Sequence, residues 1–206
     1  NQTYTSHPSH QAFLREYTRV GNRTLSTGRL LNGANGGLPT WAELKAHVQQ
    51  YLGISLDDRD VGNIPQVLVD PYGRFIPGPN GYAQLVTGTN ANGTPITVEG
   101  TVAGINPTAV NALRIDHAFM DDINATAAPV VTGGVLQPDG DATVGLGSDA
   151  LPNGRGGFTK YDNELLDRHY VTGDGRGNEN IALTTIHTIF HEEHNRVMEA
   201  KIGRAH

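Results

Sequence analysis

The run from Gly173 to Met198, GDGRGNENIALTTIHTIFHEEHNRVM, constrains the chain more than any other stretch. Ile181, Thr184, Thr185, Thr188, Ile189, Phe190 and Val197 include a mixed apolar face at 3.6-residue spacing, so the run predicts one long helix. Gly173-Asp174-Gly175 predicts a turn, with Asp174 or the residues just after it capping the incoming helix. Arg176 and Glu179 stand three apart, which on a first helical turn points both side chains the same way. From spacing alone they are an exposed ion pair of a common kind. His187 and His191 share a helix face, as zinc-binding histidines do, but His191-Glu192-Glu193-His194 lacks the His-Glu-x-x-His spacing.

Two motifs in this run occur together. Gly173-Asp174-Gly175-Arg176-Gly177-Asn178-Glu179 is followed, further along the same helix, by Glu193-His194-Asn195-Arg196. The pair resembles the segment of animal-type haem peroxidases that reads Gly-Asp-x-Arg-x-x-Glu and then Glu-His-Asn-Arg. The resemblance implies a mainly α fold with long irregular loops, a partial haem peroxidase-like helical domain. It implies haem as cofactor and a reaction that reduces hydrogen peroxide while oxidising a small organic or halide reductant. Arg176 falls on the catalytic arginine over the distal face of the haem, which polarises bound peroxide. Glu179 falls on the cofactor-binding glutamate that can form an ester to a haem methyl group. The Glu193–Arg196 tetrad falls on a structural element. The chemistry suits the residue type, because a planar, permanently charged guanidinium stabilises a departing hydroxide while a histidine moves the proton.

The resemblance extends weakly to the N-terminus. Asn1 to Ser6 is similar to a calcium-binding Ser-Met-Val-Tyr-Gly-Ser segment, with Tyr4 and Ser6 matching and Asn1 in place of a serine ligand. An asparagine oxygen suits a hard cation, so the resemblance gives Asn1 as a calcium ligand. The alternative is a plain surface turn. Asp116-His117 repeats the family's distal Asp-His pair, but it stands downstream of the calcium segment, with Leu113 and Ala118 where glutamine and aspartate are expected. We therefore read His117 as a histidine on an apolar helix face. The distal and proximal histidines are then expected outside residues 1–206, making residues 1–200 an inactive piece of a single catalytic domain completed by the rest of its parent polypeptide. Residues 201–206, Lys201 to His206, correspond to a common sequencing adapter and are expected to be a non-native tail. The absence of cysteine suits a bacterial member, and the family habit implies secretion.

Bulk properties narrow the alternatives. A net charge of −6 with no basic run gives no footprint for nucleic acid. No apolar stretch approaches the roughly 18–20 residues of a membrane span. Two other classes remain, a non-catalytic interaction module and a zinc hydrolase using His187 and His191.

Local signals fill in the rest of the chain. Ser9 is placed to cap a short helix that packs Phe13, Leu14 and Tyr17. Residues 28–37 read as a glycine- and asparagine-rich connection. Thr40-Trp41-Ala42-Glu43 is a capping box, Trp41, Leu44, Val48 and Leu52 form the buried stripe, and Gly53 ends the helix. Residues 57–81, broken by four prolines, read as ordered loop with Val67–Val69 briefly extended. Residues 84–100 read as a hairpin around Asn90–Gly93. Asn106-Pro107 is expected to open a helix running to about Ala125. Residues 127–160 read as a surface insertion in which Asp139-Gly140-Asp141 is a turn, and residues 161–170 as a short helix with Leu165 and Leu166 inward.

Overall fold

The computed structural model of the chain describes residues 7–21, 23–120, 131–132, 135–138, 151–152, 158–159 and 163–202. Asn1, Tyr4, Ser6, Asp139-Gly140-Asp141 and residues 203–206 lie outside them, and the calcium assignment with them.

Helix α1 (Pro8–Leu14) runs directly into a hairpin of β1 (Arg15–Val20) and β2 (Arg23–Leu30). Its cap is not Ser9. The His7 imidazole Nδ1 accepts the Ser9 N–H at 3.1 Å, and the Ser9 hydroxyl instead donates to the Val67 carbonyl at 3.1 Å. Helix α2 (Trp41–Leu52) follows with the capping box intact and Gly53 left-handed at its C-cap, as the sequence requires. Trp41, Leu44, Val48 and Leu52 are all fully buried.

A second hairpin, β3 (Gln84–Thr89) with β4 (Pro95–Glu99), matches the expected turn. The proline-punctuated stretch before it is ordered, with Val67 bridging Leu85 and Val69 bridging Phe75. Four two-residue strands, β5 (Val131–Thr132), β6 (Val135–Leu136), β7 (Leu151–Pro152) and β8 (Phe158–Thr159), make two small ladders. A 3₁₀ helix (Asn163–Arg168) and α3 (Ile181–Ile202) complete the order. Leu166 turns inward as expected.

The fold is not mainly α. Described residues are 32% helical and 23% strand, arranged in antiparallel hairpins beside three helices. Two expectations fail to produce this result. Arg15 to Leu30 is a hairpin, so residues 28–30 belong to a strand rather than a connection. The helix expected from Asn106 is a single turn: the Asn106 side chain accepts the Thr108 and Ala109 N–H groups at 2.8 and 3.1 Å, and Asn111 then turns left-handed at φ 53°. Beyond it the backbone pairs elsewhere. Leu113 donates to Val86, Ile115 donates to Ile64, and Leu113 and His117 accept from Gln66 and Ile64. Arg114 reaches the buried Asp60 carboxylate as well. Tertiary partners for both backbone and side chain outweigh the local preference.

Phe119 stands at the centre of the core, with ring centroids 5.2 Å from Trp41, 5.5 Å from Phe13 and 5.5 Å from His10. No helix among the described residues is long and apolar enough to cross a membrane.

Candidate functional site

The chain reaches the Arg176 turn by way of α2. Trp41 N–H donates to the His169 carbonyl, Val171 N–H donates to Pro39, and Thr40 bridges Tyr170. The turn itself is knitted by short-range bonds. Thr172 Oγ1 accepts from Asp174 N at 3.2 Å and donates to the Asp174 carbonyl, and Gly177 N donates back to that carbonyl at 3.1 Å. Gly177 is required here, because a Cβ would meet Thr172 Oγ1 at 2.6 Å.

Arg176 is not on the first helical turn. Helix α3 begins at Ile181, capped by Asn180, whose side chain accepts the Leu183 N–H at 3.0 Å. Arg176 sits before it and forks onto Asp174, with Nε to Oδ1 and Nη2 to Oδ2 both at 3.0 Å. Oδ1 of the same carboxylate accepts the Arg176 backbone N–H at 3.1 Å. The Asp174 side chain is only 6% exposed and that of Arg176 23%. A two-point guanidinium–carboxylate fork with this little solvent fixes the plane of the arginine. Asp174, read from sequence as a cap, is therefore the residue that positions Arg176. The spacing of aspartate two residues before arginine was the available signal. Glu179 shares a turn with Arg176 through its N–H to the Arg176 carbonyl (3.0 Å), but its carboxylate makes no hydrogen bond or ion pair with any described residue.

Helix α3 docks through its polar residues. Asn195, 4% exposed, accepts the Leu30 N–H at 2.8 Å and donates to the Leu30 carbonyl at 3.0 Å, as a neighbouring strand would. His191 Nε2 lies 2.8 Å from Asn32 Oδ1, and His194 Nε2 lies 3.2 Å from the Gly28 carbonyl, so both ring nitrogens donate. Gly28, at φ 85°, allows Met198 to approach to within 2.5 Å of where a Cβ would stand. Burial, then the charges of His194 and Arg29, push the His191 pKa down to about 4. Away from this docking face Ile186 and Ile189 are exposed, Ile181 is exposed at the helix start, and Phe190, 71% exposed, stands at the rim of the cleft that α3 closes. Between α1, β2 and α3 lies a cleft of about 410 Å³ lined by Leu14, Leu31, Pro39, Thr172, His187 and His191 among others.

Sequence comparison places a family on this region. Residues 130–200 match the Animal haem peroxidase family. The match spans about a third of the chain and includes the Arg176 turn, Glu179 and the Glu193–Arg196 tetrad. No curated protein and no solved structure matches the chain.

Within this peroxidase-matching segment, the residues fit one edge of a haem site and not a whole one. Arg176 offers a fixed cation and Glu179 a carboxylate without a hydrogen-bond or ion-pair partner among the described residues, yet neither lines the cleft. Of the imidazoles at the cleft, His191 and His194 spend Nε2 on protein acceptors and His187 Nε2 is buried from solvent. Among the described residues no group of three or more histidines, aspartates or glutamates is placed to hold a metal ion, which leaves the zinc arrangement at His187 and His191 without support. Asp116 and His117 belong to the α1 side of the core. Asp116, left-handed at φ 56°, pairs with Asn63, and His117 Nδ1 lies 2.8 Å from the Ile115 carbonyl.

Proposed function

We propose that this chain is part of a haem peroxidase that reduces hydrogen peroxide while oxidising a small organic or halide substrate. The observation that carries the reading is the Asp174 fork on Arg176, inside the segment that matches the peroxidase family. A fixed guanidinium contributes where negative charge develops, on the oxygen that leaves when peroxide is cleaved. Haem, when bound, supplies the redox chemistry, while Arg176 contributes the stationary positive charge and Asp174 keeps it aimed. Glu179 is the carboxylate available for an ester to the haem. A bacterial, secreted parent that also binds calcium completes the proposal.

The outward apolar side of α3 supports a further element of this reading, that the remainder of the parent polypeptide packs there. Ile186 and Ile189, exposed on one side of the helix, are costly to leave in water and are easily covered by another helix. In the haem-loaded parent protein, Arg176→Ala is expected to slow peroxide-driven haem oxidation by roughly 10²–10³-fold, read by stopped-flow absorbance. An unchanged rate removes Arg176 from the chemistry.

A further inference from the structure

His10 is the least expected residue in the core. It is 2% exposed on α1, its ring meets Phe119 edge-on at 5.5 Å, and neither ring nitrogen has a hydrogen-bond partner. A buried imidazole with two unanswered nitrogens costs free energy even when neutral, and far more when charged. Two further histidines lie within electrostatic reach. His7 begins the same helix, and its ring centroid is 6.2 Å from that of His117 on the segment packed against it.

Nothing described nearby would compensate a charge on His10. At the start of β1, Arg15 donates to the Gly73 and Tyr72 carbonyls, and on the 67–75 segment packed against α1 the Asp70 carboxylate accepts the Tyr72 and Arg74 N–H groups. On the segment carrying His117, Asp116 is engaged by Asn63, and Arg114 by Asp60. On α2, Lys45 is held by Asp58 and Asp167, Asp58 also accepts from Trp41 Nε1, and His47, stacked on Tyr17, has its own pKa pushed down to about 4 by burial. The nearest titratable partners of His10 are thus two more histidines, which repel a proton on it rather than attract one.

We propose that the His7–His10–His117 cluster is an acid-sensitive latch, which holds α1 on the core while His10 is neutral and releases it when His10 takes up a proton. Release has a structural consequence, because Gln11 and Leu14 form the α1 wall of the cleft that α3 closes from the other side. The sign follows from the two end states. In the closed form burial, then the charges of His117 and His7, hold the His10 pKa down to about 3, against 6.5 for an ordinary histidine. The latch is therefore complete above pH 6.5 and weakens as pH falls towards 3, the released form binding one more proton. Its opening becomes tenfold easier per pH unit inside that window.

Hydrogen exchange of the 206-residue chain tests this, following amides of residues 10–14 against those of the β3–β4 hairpin, whose strands carry no histidine, at pH 7 and pH 5 after correction for intrinsic rates. In the wild type, α1 protection is expected to fall about 25-fold more than protection in that hairpin. In His10→Leu most of that difference disappears, the remainder coming from His7, whose Nδ1 accepts the Ser9 N–H only while unprotonated, and the separate acid response of α3, which carries His191, is retained. His10→Phe provides the same comparison with an aromatic ring kept against Phe119. The same pH response in wild type and variant overturns the latch. A histidine NMR titration of the wild type stands independently of any variant. His10 must remain neutral for as long as α1 stays protected, and a His10 that titrates near 6.5 with α1 still protected overturns the proposal equally.

Discussion

Residues 7–120 and helix α3 are held in place by opposite means. The first region closes on apolar side chains, with Trp41, Phe13, Phe119, Leu44 and Leu52 fully buried. The second places Asn195 and His191 against β2 and leaves Ile186, Ile189 and Phe190 in water. Apolar burial contributes most of the stability of a domain, whereas a buried amide clamp contributes little net free energy and mainly fixes register. Helix α3 is thus docked by specificity rather than by bulk. Its outward apolar row is what the first region has already hidden.

The largest expected effect tests the first half of this contrast. Trp41→Ala removes the largest fully buried side chain, together with the Nε1 donor to Asp58, and should cost about 3–5 kcal/mol in urea unfolding. A loss below about 1 kcal/mol would mean the aromatic cluster is not the core. Asn195→Ala comes next. It strands the Leu30 N–H and carbonyl against a helix and should cost about 1–3 kcal/mol. The loss should be local, seen as proteolysis or amide exchange in α3 while α2 keeps its protection. If α2 loses protection in parallel, the two regions form one cooperative unit and the contrast fails.

What the sequence revealed follows the same division. Thr40 to Gly53 was legible because capping box, apolar stripe and terminal glycine are all local signals that agree. The β3–β4 hairpin was legible from Asn90–Gly93 between extended runs. The first hairpin had its own signal, since Gly21-Asn22 separates two runs of strand length, and it went unused beside the more obvious glycines at 28–37. The helix expected after Asn106 failed because residues 113–117 find partners on residues 64–66 and Val86, which no local pattern announces. At the site, the residues Arg176 and Glu179 were legible from their motif, but their placement was not. Asn180 is the better cap, so α3 starts later, and Arg176 turns back to Asp174 rather than along a helix towards Glu179. The polar docking face of α3 was hidden for a related reason, because Asn195 and His191 are buried only through the backbone of β2 and Asn32.

The smallest prediction concerns the joint between the regions. Thr40 caps α2 through its hydroxyl, which accepts the Glu43 N–H at 3.3 Å, and it also bridges Tyr170 through its backbone on the way to the Arg176 turn. Thr40→Ala should cost about 1 kcal/mol and Thr40→Ser only a small part of that, because serine restores the cap. The backbone bridge to Tyr170 survives both changes, so amide protection of residues 174–179 should stay constant relative to global stability. A selective loss in that turn with Thr40→Ala, recovered by Thr40→Ser, would show that the α2 cap itself supports the Arg176 fork. The apolar region would then reach into the chemistry of the polar one through a single hydroxyl.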